Sequence, residues 1–266
     1  MMLRDDVVAL VSDADGTLVN TTRLIRYGQY ETARRYLIEM GVSESEIPTY
    51  KEYVPCLDKS IGGGARHTFE HTFALLFARR LDILERVDFG ELFNRLDMVQ
   101  DEIATELVKP YPGLKKLLHY VGDNDIKFAI FTSGSIHHVI RNFGIALPEL
   151  EMTKLYQYKL KTPKQKLRMF SEAMAKVYGI HHMAVVTIED VSSHKPNPEG
   201  MLLAMKRLHA APSQTVMLGD QAVDMQAAKR AGVAQRIGTT HGFNDKEALI
   251  AGGATDIVGS LGEIIS

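Results

Sequence analysis

The chain has 266 residues, 45% apolar and 24% charged, with 31 basic side chains against 33 acidic ones and a net charge of −2. That excludes disorder over the whole length, and the balanced charge offers no global field toward nucleic acid or an anionic membrane. A single cysteine, Cys56, excludes an intrachain disulfide framework and a four-cysteine zinc site.

No run approaches the roughly 18 apolar residues that span a bilayer. The N-terminus carries acids just before its apolar run and shows no small-residue cleavage site, so no secretory signal and a cytoplasmic location are expected. Neither a nucleic acid nor a membrane is expected as a partner.

In chain order, short apolar runs without alternation predict strands buried on both faces. They lie at Val7–Val11, Ile126–Phe131, Met183–Ile188, Thr215–Leu218 and Val233–Ile237, with Asp256–Val258 as a sixth. Helical patterns fall between several of them: 114–121, Met201–Leu208 and Gln221–Ala231, the last stopping at Gly232. Strands that alternate with helices imply a parallel sheet with right-handed crossovers.

The rhythm breaks after the first strand. Residues 19–109 offer no strand; Thr32–Met40, Ala65–Arg80 and Phe89–Val108 have helical spacing instead. The expected organisation is therefore a discontinuous core, 1–18 with 110–266, and a helical unit over 19–109. A second insert near 148–180 holds the segment Tyr156–Pro163 and a helix from Lys164 to Tyr178 that carries Lys164, Lys166, Arg168 and Lys176. Such a basic face suits a nucleic acid or a partner, or is simply solvated.

Four segments at predicted strand ends carry chemistry, and ligands of open α/β sheets bind beyond those ends. Ser12-Asp13-Ala14-Asp15-Gly16-Thr17-Leu18 places two carboxylates together, which repel and call for a cation or a division of roles. Phe131-Thr132-Ser133-Gly134-Ser135 offers a hydroxyl and a helix start for a phosphoryl oxygen. His194-Lys195-Pro196-Asn197-Pro198 holds a compact positive charge between stiffening prolines. Leu218-Gly219-Asp220-Gln221-Ala222-Val223-Asp224 supplies two more carboxylates, which share a helix face if the helix starts near Asp220 and then suit Mg²⁺.

In this order the four segments resemble the haloacid dehalogenase superfamily, in particular its phosphatases with a helical cap inserted after the first motif (phosphoglycolate phosphatase and β-phosphoglucomutase-like members). The resemblance spans about residues 1–20, 110–147 and 183–259, the cap matching in placement and helicity. It implies an α/β fold: a Rossmann-like parallel sheet of strand order 5-4-1-2-3 with an all-helical cap domain.

It further implies Mg²⁺-dependent hydrolysis of a small phosphorylated metabolite through an aspartyl-phosphate. Asp13 would be the nucleophile. Asp15 would be the acid and base. Thr132, with Ser133 and Gly134, would bind the phosphoryl group, and Lys195 would offset its charge. Asp13, the Asp15 carbonyl, Asp220 and Asp224 would hold the metal directly or through water. Gln221 stands where many relatives carry serine or threonine.

Several alternatives stay open. Asp15 favours phosphoryl transfer over carbon–halogen cleavage, while Lys51 and Lys59 leave a phosphonate hydrolase in view. A phosphomutase would use the same site, and an idle ligand-sensing protein would keep the fold alone. His67-Thr-Phe-Glu70-His71 fits a zinc-peptidase pattern, a reading that needs a third ligand and a peptidase framework, while the phosphatase motifs already explain the chain. Gly62-Gly63-Gly64 reads either as a closing cap loop, with Lys59, Arg66 and His67 meeting the substrate, or as a connector with solvated charges.

Overall fold

Ala9-Leu10-Val11-Ser12 is buried at all four positions, which demands strands on both sides and helices on both faces. A computed structural model of the chain describes residues 3–4, 6–61, 64–152 and 162–266. Its strands are β1 (Ala9–Ser12), β2 (Val19–Asn20), β3 (Lys109–Pro110), β4 (Lys127–Phe131), β5 (Met183–Val186), β6 (Thr215–Gly219), β7 (Gln235–Thr239) and β8 (Asp256–Val258). Six form one sheet in the order β5-β4-β1-β6-β7-β8, and every pairing in it is parallel. With β8 set aside, this is the expected order read from the opposite edge.

The contacts divide the chain into two compact units, Met1–Asn20 with Val108–Ser266, and Thr21–Leu107. In the first unit, Val11, Ala129, Val186 and Met217 of the sheet share a core with Met201, Met205 and Met225 from helices Glu199–Leu208 and Ala222–Arg230. The second unit is helical: Thr22–Glu39, Tyr50–Ser60, Ala65–Leu76, Leu81–Leu84 and Phe89–Leu107. Its core joins Leu37, Leu57, Phe69, Phe73, Leu92 and Leu96. No helix among the described residues is long and apolar enough to cross a membrane.

The differences from the sequence reading have local causes. The fifth strand starts at Gln235 rather than Val233, because Val233 closes the preceding helix end through its N–H on Ala228 O. The third strand stops at Val186; Thr187 then caps a short turn, its hydroxyl accepting from Glu189 N–H. β2 and β3 pair antiparallel at the edges of the stretch expected to be strandless. The helix expected from Thr32 begins at Thr22, and Tyr50–Ser60, with Pro55 inside it, is helical where none was expected. The helix expected over Ala65–Arg80 ends at Leu76.

Of the segment Tyr156–Pro163, residues 156–161 fall outside the described residues, as do glycines 62 and 63. The helix that begins at its end, Pro163–Tyr178, has Pro163 in its first turn and Thr162 accepting from Gln165 N–H. Phe170, Met174 and Tyr178 are buried, and the Phe170 ring meets Phe143 edge-on at 5.4 Å. Lys164, Arg168 and Lys176 stand exposed on the other face. This helix is therefore part of the layer that covers the sheet. Phe170→Ala is expected to cost about 3–5 kcal/mol in urea denaturation, whereas Lys164→Gln is expected to shift stability by less than about 0.5 kcal/mol.

Candidate active site

Asp13 is the first residue past β1, and its N–H on Leu218 O at 2.8 Å carries the strand pairing with β6 one step further. The chain then reverses at Gly16, whose φ of 87° suits glycine. A Cβ at Gly16 would lie 2.5 Å from Asp220 Oδ2, so the turn presses directly on the carboxylate that follows β6. Thr17, one residue on, donates from Oγ1 to Asp220 Oδ1 at 2.7 Å.

Lys195 enters from the segment after β5. That segment is tied at both ends: Ser193 N–H donates to Glu199 Oε2 at 2.9 Å, and Arg230 Nη1 donates to Pro196 O at 2.9 Å. The buried ammonium lies 2.6 Å from Asp13 Oδ1, 2.8 Å from Asp224 Oδ1 and 2.7 Å from Phe131 O. It donates to Asp13 and to the Phe131 carbonyl, and Asp224 is its second ion-pair partner. Phe131 also places its ring 4.4 Å from Nζ.

Asp220 and Asp224 do not share a helix face, as the sequence had suggested. The helix starts at Ala222, and Asp224 caps it by accepting from Gln221 N–H at 3.0 Å. Gln221 is thus the cap residue. Asp220 sits before the helix and accepts from Phe243 N–H at 2.8 Å. A Cβ at Gly242 would fall 2.0 Å from Asp220 Oδ2, so the loop after β7 needs glycine there to make this approach.

Asp13, Asp220 and Asp224 are all buried, with one ligand atom from each lying within 4.8 Å of the others. Burial, opposed by Lys195 and reinforced by Asp224 and Asp220, pushes the Asp13 carboxyl well above the usual range. Burial and Asp224 push Asp220 up to about 7. For Lys195, burial pulls downward, but Asp13 and Asp224 outweigh it and raise the group above the ordinary lysine range. Three carboxylates against one ammonium leave a buried negative excess. A divalent cation with a preference for oxygen ligands would offset it, and the donor set, all carboxylate oxygens, suits a hard ion such as Mg²⁺.

A layer behind the acids holds them. His241 places Nε2 2.9 Å from Thr17 O, while Tyr111 stacks on its ring at 3.8 Å and donates to His241 O at 2.9 Å. Burial lowers the His241 pKa despite the carbonyls of Thr17 and Gly259. The imidazole thus braces the turn whose hydroxyl holds Asp220.

Comparison with known proteins gives the family. The model of the haloacid dehalogenase-like hydrolases matches residues 7–232. The chain belongs to that family. The phosphoglycolate phosphatase of Escherichia coli K12 is 36% identical over 248 residues, covering 92% of this chain and 86% of that protein. The phosphorylated carbohydrates phosphatase of Thermotoga maritima is 26% identical over 251 residues, covering 94% and 93%. The crystal structure of CbbY from Rhodobacter sphaeroides in complex with phosphate superposes with a TM-score of 0.67 at 19% identity, over 97% of this chain and 96% of that one, and shares its fold. This haloacid dehalogenase-like hydrolase is an enzyme of the phosphatase type, with a core sheet and an inserted helical cap.

Of the residues singled out in the sequence, Asp13, Lys195, Asp220 and Asp224 form one cluster. Thr132 continues from the Phe131 carbonyl that Lys195 holds, and its Oγ1 accepts from Gly134 N–H at 2.9 Å. Ser133 lies half-buried in that turn. Asp15 accepts from Asn142 Nδ2 at 2.8 Å. Lys59 belongs to helix Tyr50–Ser60 of the cap unit, and Arg66 and His67 to helix Ala65–Leu76, where Arg66 pairs with Glu70 at 3.1 Å. The His67 and His71 rings are 4.2 Å apart, and no third ligand joins them among the described residues.

The sequence reading missed Thr17 as a holder of Asp220, and it missed Asn142, Tyr111 and His241. Thr17 was visible inside the first motif; the other three carry no local signal. Asp220→Asn is expected to weaken Mg²⁺ binding by at least ~10-fold in calorimetry without substrate, with an unchanged circular dichroism spectrum.

Proposed function

We propose that the enzyme hydrolyses a small phosphate monoester through an aspartyl-phosphate on Asp13, with Mg²⁺ as its cofactor. The observation that carries this reading is the buried Lys195–Asp13 contact of 2.6 Å beside Asp220 and Asp224. A carboxylate at a strand end, charge-paired and next to a cation site, is equipped to attack phosphorus. The names of the two curated relatives direct the substrate class toward phosphorylated carbohydrates and phosphoglycolate.

In the first step an Asp13 oxygen bonds to phosphorus and the bond to the ester oxygen breaks. Asp15 gives its proton to that oxygen, and an alcohol leaves. In the second step water attacks the phosphorus and yields its proton to Asp15. The bond to Asp13 breaks, and inorganic phosphate leaves. Lys195 offsets charge on Asp13 and on the phosphoryl oxygens, while Thr132 with Ser133 and Gly134 receives those oxygens. Mg²⁺, held by Asp13, the Asp15 carbonyl and Asp220 with Asp224 behind them, would neutralise phosphoryl charge. In the cap unit, Lys59, Arg66 and His67 are the candidate substrate-binding residues.

The test is phosphate release from a panel of hexose phosphates, pentose phosphates and 2-phosphoglycolate, with Mg²⁺ and then with EDTA. Release is expected for a few members, is abolished by EDTA, and falls by at least ~10³-fold in Asp13→Asn. Release that survives in Asp13→Asn at the wild-type rate contradicts the reading.

A further inference from the structure

We infer that Asn142 is a positioning residue for the acid–base carboxyl of Asp15. The inference rests on the role proposed for Asp15 above. Asn142 sits on helix Ile136–Ala146, which follows β4, and is buried. Its Nδ2 donates to Asp15 Oδ1 at 2.8 Å. Its Oδ1 accepts from Arg141 Nε at 2.9 Å, and Arg141 is itself buried.

The chemistry of the partners settles which way the amide points. A guanidinium has only donors, so the Asn142 atom that faces it is the oxygen. The amide nitrogen then faces Asp15, which offers it an acceptor in either protonation state. The Arg141–Asn142–Asp15 chain has one orientation, and it pins one of the two oxygens of Asp15.

The other oxygen lies by the turn of Thr132 and Gly134, to which the proposed function gives the phosphoryl oxygens. A methyl group placed on Gly134 would lie 3.4 Å from Asp15 Oδ2 and 3.3 Å from Thr132 Oγ1. Oδ2 therefore borders the turn of Thr132 and Gly134, while Oδ1 is occupied by Asn142. In the acid form the proton resides on Oδ2, and Oδ1 continues to accept from Asn142. As Asp13 bonds to phosphorus and the ester bond breaks, the Oδ2 proton passes to the departing oxygen. When water later attacks, Oδ2 takes a proton back. Asn142 keeps its bond throughout.

The residue type fits this cycle. An arginine placed directly on Asp15 would favour the ionised form and oppose its use as an acid. Here the cation of Arg141 stops one residue short, and a neutral amide makes the contact. A neutral donor holds a carboxylate and a carboxylic acid alike, which a group that alternates between them requires. Correct placement of an acid governs how much of its benefit reaches the transition state.

The experiment compares two leaving groups in the formation of the aspartyl-phosphate, read by rapid quench in the wild type, Asn142→Leu, Asn142→Ala, Asn142→Gln and Asp15→Asn. One substrate is 4-nitrophenyl phosphate, whose phenolate departs without a proton. The other is the alkyl phosphate that the phosphate-release panel selects, whose alkoxide needs one. In Asn142→Leu the rate is expected to fall about 10-fold or more with the alkyl phosphate and less than about 3-fold with 4-nitrophenyl phosphate. Asp15→Asn is expected to show the same asymmetry more strongly, and Asn142→Gln, which keeps the donor, to recover part of the alkyl rate. Thermal melts establish that each variant is folded, and Asn142→Ala serves if Asn142→Leu is not. An equal fall on both substrates, or a fall on neither, overturns the inference, since a purely structural residue has no preference for the leaving group. Loss of the asymmetry in Asp15→Asn itself overturns the role of Asp15 and the inference with it. Persistence in Asp15→Asn with absence in the Asn142 variants overturns the inference alone.

Discussion

One ammonium group organises the catalytic unit. The buried Lys195 donates to Asp13 and to the Phe131 carbonyl and pairs ionically with Asp224, all between 2.6 and 2.8 Å. None of these charges is tolerable there alone, because removing one partner of a buried pair costs about 3–5 kcal/mol. Together with Asp220 they form a cluster that still carries a negative excess and so fits a divalent cation. The sheet order follows from the same need. β1 lies between β4 and β6, so Asp13, the Phe131 carbonyl and Asp220 emerge side by side at one edge of the sheet. Lys195 arrives after β5, the outer neighbour of β4.

Around the charged centre the contacts are made by neutral donors. Thr17 and the Phe243 amide hold Asp220, the Gln221 amide holds Asp224, and Asn142 holds Asp15. Dipoles of this kind orient a carboxylate without compensating its full charge, which leaves room for a metal at the acids after β6 and for a proton at Asp15. His241 and Tyr111 stand one layer further back and brace the backbone at Thr17. Burial keeps that histidine below its ordinary pKa, which suits a structural brace better than a proton carrier.

What was legible in the sequence followed from short range. The buried strands announced themselves as unbroken apolar runs, and the strand-end motifs placed Asp13, Lys195, Asp220 and Asp224 near one another, since parallel strands end on one side of their sheet. Asn142 was silent because a lone asparagine inside a helix looks like any other until its partner, 127 positions earlier, comes to face it. His241 is tied to Thr17 across 224 positions and was silent for the same reason. Boundaries slipped where one residue serves two elements. Val233 is apolar enough to begin a strand but is used to close a helix. Asp220 and Asp224 have helical spacing, yet the helix begins between them. In the cap, Tyr50–Ser60 was hidden by Pro55 and a polar composition, and its stability comes from Tyr53 and Leu57 in the cap core rather than from propensity.

The central claim is that the carboxylate held by Lys195 is the one that becomes phosphorylated. The most direct measurement is to quench the enzyme in acid during turnover, reduce it with borohydride and map the peptides by mass spectrometry, since reduction converts a phosphorylated aspartate to homoserine. The account predicts homoserine at position 13 and an intact Asp15. Homoserine at Asp15, Asp220 or Asp224, with Asp13 unchanged, would contradict it.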